Sequence, residues 1–174
     1  APKYSLLTLS SELSRTDIAE LTTSAKIYGE VSEFALIVQG SSEALVTEDC
    51  IPRLVRQCRG DRGRLFALRD ETGRVFPIHQ AADCRTRIAN AAELCLIDLL
   101  PEIRDAGITE IVIDARFRPS AYTAAMTRLY REAVDVLGEP GSHRDGKLRD
   151  LKERVKALSL GGITAGHFLR GLKE

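Results

Sequence analysis

Residues 91–116 read Ala91-Ala92-Glu93-Leu94-Cys95-Leu96-Ile97-Asp98-Leu99-Leu100-Pro101-Glu102-Ile103-Arg104-Asp105-Ala106-Gly107-Ile108-Thr109-Glu110-Ile111-Val112-Ile113-Asp114-Ala115-Arg116, and this stretch decides the fold class. Leu96, Leu99, Leu100 and Ile103 recur at helical spacing, so a helix over 91–106 is expected, with Cys95 inside it and Gly107 as its stop. The run from Glu110 to Arg116 is apolar in the middle and charged at its carboxyl end, the pattern of a buried parallel strand. Pro119 and Ser120 then open a second amphipathic helix, whose buried stripe is Ala125, Met126, Leu129, Tyr130, Ala133 and Leu137. Helix, strand and helix in succession predict parallel β/α units.

The chain on either side extends the same pattern. Tyr4–Leu9 alternates as a short strand, and Ser14 with Asp17 marks the start of a helix that Gly29 ends. Glu33–Gln39 is a continuous apolar strand, and Ala44–Thr47 is a second one leading to Cys50. A hairpin insertion is expected at about 64–80, its two strands joined by Asp70-Glu71-Thr72-Gly73. Gly138–Gly146 reads as a flexible loop before a charged helix over 147–158, and the tail from Leu160 to His167 is glycine-rich.

The 174 residues, 44% of them hydrophobic, suffice for a single domain spanning 1–174 with a real core. An eight-unit barrel usually takes roughly 250 residues. About four units plus a hairpin are therefore too few to close one: either an N-terminal half of the same barrel lies outside this chain, or the strands form an open sheet, or two copies cover each other. Lys plus Arg and Asp plus Glu both number 25, so the net charge favours neither nucleic acid nor an anionic membrane as partner. Arg53, Arg56, Arg59, Arg62 and Arg64 form a local basic run that reads first as a solvated face and second as a phosphate cradle. No stretch has the length and apolarity of a membrane span and no signal peptide is evident, which places the protein in the cytoplasm by expectation.

All four cysteines, Cys50, Cys58, Cys84 and Cys95, fall within one window that also holds His79. Thiolates and imidazole are the ligands that zinc and iron–sulfur centres take, and cytosolic cysteines are more often reduced or metal-bound than paired. These five residues are the expected metal ligands, although no pair has the two-residue spacing of a zinc ribbon, and ordinary buried thiols are the alternative. Two models stand side by side: a four-iron cluster on the four thiolates, or one zinc shared across a homodimer by a Cys/His pair from each subunit. Cys84 and His79 are also the one nucleophile-and-base pair close in sequence. Asp114 and Arg116 are the candidate catalytic residues, since ionisable groups at the carboxyl end of a parallel strand face the working end of a barrel. Asp114 can serve as acid, base or metal partner, and Arg116 can grip the carboxylate of a peptide or small ligand; a structural ion pair is an equal alternative. His167 in its glycine-rich tail is a weaker candidate.

Four stretches carry a family likeness. Asn90–Asp98, running on through Gly107 to Ile113-Asp114-Ala115-Arg116, is similar to an acidic-Leu-Cys-Leu segment followed by a glycine stop and a strand ending in an acid-glycine-arginine turn. Glu12-Leu13-Ser14 and Gln57-Cys58-Arg59 are similar to further family motifs, and Gly161 to Gly171 is similar to the family's Gly-x-Thr-x-Gly-His ending. On these residues the chain resembles the C-terminal half of the collagenase-like peptidase family U32, as a divergent branch. The family's histidine-glycine is Gln39-Gly40 here, and the loop between the first cysteines is short. The resemblance implies a modified (β/α)8 TIM-type barrel, a peptidase (hydrolase) label without any standard proteolytic motif, and in some members a four-iron cluster serving hydroxylation of RNA or a quinone precursor. It carries a four-cysteine site onto Cys50, Cys58 and Cys95, with Cys84 as a substitute ligand. A non-catalytic metal-stabilised module that binds peptides or carboxylates is the remaining alternative.

Overall fold

The computed structural model describes residues 2–29, 31–54, 66–80, 84–116 and 118–171. A central strand, β2 (Val31–Gly40), organises the main sheet. Strand β1 (Tyr4–Leu9) lies parallel to its first half, with Leu9 opposite Leu36, and β8 (Glu110–Asp114) lies parallel along its other side, with Gly40 opposite Asp114. Beyond the end of β1, β7 (Glu93–Cys95) pairs antiparallel with Gln39 and Gly40, and β9 (Ile163–Thr164) runs parallel to β7. Phe34, Ala35, Leu36 and Val38 of β2 are all buried, as a run of consecutive apolar residues in a two-sided strand requires.

Helices α1 (Arg15–Tyr28), α3 (Leu100–Asp105), α4 (Ser120–Asp135) and α5 (Gly141–Leu158) accompany this sheet. Helix α1 begins as its sequence says: Ser14 and Asp17 form a reciprocal capping box, and Gly29 closes the other end at φ 65°, where its N–H bonds the carbonyls of Ala25 and Lys26. Ile18, Ile103, Met126, Leu129, Leu148, Leu151 and Val155 bring the helical faces into one core with Phe34, Leu36, Val38 and Leu96. No helix among the described residues is long and apolar enough to cross a membrane.

The expected hairpin insertion is larger than its signal. Strands β4 (Phe66–Arg69) and β5 (Val75–Gln80) form the hairpin, and Asp70 braces its turn by accepting from Thr72 N, Thr72 Oγ1 and Arg74 N. Strands β3 (Glu43–Thr47) and β6 (Thr86–Ala89) extend it to a four-stranded antiparallel sheet in the order β3-β6-β5-β4. A one-turn helix, α2 (Ile51–Leu54), follows β3. The expected first hairpin residues, Arg64 and Leu65, lie outside the described residues, as do Arg56, Arg59 and Arg62 of the basic run.

Two expectations from sequence are corrected. The expected helix over 91–106 is a strand, a 3-10 turn at Ile97–Leu99 and then α3. Pro101 decides the boundary: without an N–H it suits only the first turn of a helix, and inside one it would break a hydrogen bond. The preceding Leu94-Cys95-Leu96-Ile97 is buried on every side, so its apolar spacing does not distinguish helix from strand. The flexible loop expected at about 138–146 is mostly helix, since α5 starts at Gly141. Glu139 ties its first turns through His143 Nδ1 at 2.6 Å and Lys147 Nζ at 2.7 Å.

Candidate functional site

The carboxyl ends of β2 and β8 meet closely. Gly40 has φ +142°, and a Cβ there would lie 2.4 Å from the carbonyl oxygen of Asp114, so only glycine permits the approach. Immediately beyond, a small recess is lined by Ser41, Glu43, His79, Arg87, Ala89, Asp114 and Arg116. The end of β8 and the turn after it supply Asp114 and Arg116, and the smaller sheet supplies Glu43, His79 and Arg87. The two candidate catalytic residues and His79 thus share one site.

Its charges are paired. Arg116 grips Asp114 with two parallel bonds, Nε to Oδ1 at 2.9 Å and Nη2 to Oδ2 at 2.7 Å, and its backbone N–H donates to Oδ1 at 3.1 Å. The Arg116 side-chain bonds hold the Asp114 carboxyl below the usual aspartate range, and Asp114 in turn holds Arg116 up. Arg87 Nη1 donates to Glu43 Oε2 at 2.7 Å across β6 and β3. Burial pushes His79 below its ordinary 6.5, which favours neutral imidazole near pH 7. Two guanidinium groups facing two carboxylates leave the recess with no net charge.

Gln80, the next residue along β5, points to the other face of its sheet, because successive strand side chains alternate. Its Nε2 lies 3.1 Å from Cys50 Sγ and 3.8 Å from Cys84 Sγ, so two thiols converge on one amide. Cys50 is held at the start of α2, where Thr86 Oγ1 donates to Asp49 O at 2.7 Å and accepts from Ile51 N. Cys84 has φ +66° and is the single non-glycine residue with positive φ among those described.

The five expected metal ligands are therefore divided. Cys50 and Cys84 are brought together; His79 is on the opposite face of β5, in the ionic recess. Cys95 is in the core on β7, 1% exposed, with Tyr130 Oη 3.9 Å from its sulfur, and burial pushes its thiol up. Cys58 lies outside the described residues. Among the described residues no three His, Cys, Asp or Glu side chains form a metal-holding group, so Cys95 does not join Cys50 and Cys84. His167 is exposed and makes a local turn, with its Nδ1 3.2 Å from Gly171 O.

Behind the recess lies a polar network that the sequence reading missed. Glu93 of β7 is 3% exposed, and its Oε2 accepts from Tyr122 Oη at 2.6 Å, Gln39 Nε2 at 3.3 Å and Ser159 Oγ at 3.3 Å. Gln39 also donates to Tyr122 Oη at 2.9 Å and accepts from Tyr130 Oη at 3.1 Å. Arg118 Nη1 stands 3.0 Å from Glu93 Oε1, off the line of a hydrogen bond, and its guanidinium lies 4.0 Å from the centre of the Tyr122 ring. Burial and the Glu93 contact push the Tyr122 phenol up. The one sequence signal was Gln39 standing where the family motif has histidine.

These features sit in a chain that belongs to Peptidase family U32, which it matches over residues 3–174. A tRNA hydroxylation protein, P2, of Bacillus subtilis (strain 168) is 31% identical over 94 residues, which are 54% of this chain and 30% of that protein. The match thus spans less than a third of that relative's length. No solved structure matches.

Proposed function

We propose that the chain is part of a U32 protein that hydroxylates RNA with an iron–sulfur cluster, built on a modified (β/α)8 barrel, rather than a peptidase. The observation that carries this reading is the division across β5: thiols on one face, His79 and the ionic recess on the other. A cysteine protease needs its nucleophile within hydrogen-bond reach of a histidine base, and alternation along the strand directs His79 away from the side of Gln80, Cys50 and Cys84. Thiols grouped with one another fit an iron–sulfur donor set, which is built from cysteine thiolates. In this proposal Cys50 and Cys84 are ligands, with Cys58 as a third from the same window, and bound iron supplies the redox chemistry.

The recess supports the same reading. With its arginines already matched by Asp114 and Glu43, it suits an uncharged hydrogen-bonding group such as a nucleobase edge better than a free carboxylate, which both acids would repel. The name of the Bacillus subtilis relative agrees with RNA as substrate.

The test uses the full-length protein containing this chain, purified without oxygen. Iron, sulfide and visible absorption that disappear in Cys50→Ala and Cys84→Ala are expected, together with added oxygen in nucleosides digested from incubated tRNA. A colourless, iron-free anaerobic protein sinks the cluster, and one zinc per two chains would favour the shared-zinc arrangement. Cleavage of unstructured peptides that is lost in both Cys84→Ala and His79→Ala would return the protein to the peptidases.

A further inference from the structure

The carboxylate of Glu93 is connected to the recess through the turn after β8. Arg118 N donates to Ala115 O at 3.1 Å, which ties Arg118 back to the end of β8. One end of this turn is wedged where the Asp114 carbonyl meets Gly40. The other end is Arg118, whose side chain is 11% exposed and set between Glu93 Oε1, the Tyr122 ring and the Leu158 carbonyl, which it reaches through Nη2 at 3.1 Å. Arg116 lies between these anchors and is 64% exposed.

Glu93 also gathers the C-terminal segment. Its side chain accepts from Ser159, its backbone N–H donates to Gly162 O at 3.0 Å, and it is the register partner of Ile163. A Cβ on Gly161 would fall 1.8 Å from Ala91 O, so the tail passes directly against the residues leading into β7. Removing an ion pair from water is costly for each charge, and attraction in the interior roughly offsets this only when the geometry is good. Here Glu93 Oε1 and Arg118 Nε and Nη1 lack hydrogen-bond partners, so the pair's net stabilisation is small. Its effect is in direction: a fixed anion to which the turn, α4 and the tail are all referred.

We infer that Glu93 is a positioning residue of the site, which orients Arg116 against Asp114 by anchoring Arg118 and links the C-terminal segment to that turn. This rests on the reading of the recess as the working site. The role is distinct from simple stabilisation, because it predicts a change in the recess of molecules that remain folded.

The experiment is a carbon-13 NMR titration of the Asp114 carboxyl in the intact chain, assigned by comparison with Asp114→Asn. In Glu93→Gln the midpoint is expected to rise towards that of an ordinary aspartate, because Arg116 no longer stays clamped on it. A folded Glu93→Gln protein whose Asp114 midpoint matches wild type overturns the inference, even if its melting temperature falls. If Glu93→Gln does not fold, Tyr122→Phe takes its place: it deletes the 2.6 Å bond while keeping the ring beneath Arg118. There too a raised midpoint supports the role and an unchanged one overturns it. No RNA or cluster enters this measurement, so failure of the hydroxylation reading and failure of this inference are told apart.

Discussion

Two arginine–carboxylate pairs stand almost side by side in this chain, and they differ in nearly everything but chemistry. Asp114–Arg116 is closed by two parallel hydrogen bonds, and its arginine is mostly in solvent. Glu93–Arg118 is buried on both sides, with poorer alignment but a phenol, an amide and a hydroxyl around its carboxylate. An exposed pair is worth about 0–1 kcal/mol because water and salt screen it and side-chain entropy opposes it. Removing one partner of a buried pair strands the other charge and costs about 3–5 kcal/mol. Truncating one partner is therefore more costly at the buried pair, and the better-formed pair is the one left available to a ligand.

The sharpest way to break this contrast is Glu93→Ala, expected to lower unfolding free energy by about 3–5 kcal/mol in urea titration. A loss no larger than that of Arg116→Ala would abolish the distinction between the pairs. Gly40→Ala comes next: its new methyl meets the Asp114 carbonyl in a backbone conformation that suits glycine, so a loss of about 1–3 kcal/mol is expected. Wild-type stability in that variant would show that β2 and β8 are not locked at the recess.

Arg116→Ala should change stability by less than about 1 kcal/mol at pH 7. Its effect belongs to acid pH. The folded carboxyl of Asp114 is depressed, so its contribution is present above the unfolded value near 3.8 and is lost as pH falls through the folded midpoint. The variant should flatten the stability–pH curve below pH 4, as read by melting at a series of pH values. His79→Gln is the mildest change. The folded imidazole is depressed by burial, so its contribution is full above 6.5 and fades as pH falls from there towards the folded midpoint; the variant should lose that part of the slope alone. A slope unchanged from wild type would mean that His79 is not buried as described.

How far the sequence reveals this arrangement depends on how far apart the contributing residues lie. The capping box of α1 is legible because Ser14 and Asp17 are one turn apart, and the hairpin is legible because Asp70 to Gly73 form one contiguous turn. The Asp114–Arg116 pair is legible because its two residues lie only two positions apart, at the end of an apolar parallel strand. β7 is not, since a run buried on all sides has no face to give a period. The start of α5 is hidden too: Pro140, Gly141 and Gly146 argue for a loop, while burial of Leu148, Leu151 and Val155 holds the helix in place. The division of the cysteine window is likewise invisible, because Cys95 differs from Cys50 and Cys84 only in where its strand lies.

By itself, then, the amino-acid order determined the capped helix α1, the hairpin turn, the alternation of apolar runs with helices, the family and the window of thiols. Each of these rests on interactions between residues a few positions apart, or on motifs that can be read in one dimension. Only the tertiary structure decided which thiols meet, that His79 turns from them to Asp114 and Arg116, and that Glu93 gathers Gln39, Arg118, Tyr122 and Ser159 in the core. Those choices depend on strand register and on burial, and both are set by contacts between segments far apart along the chain.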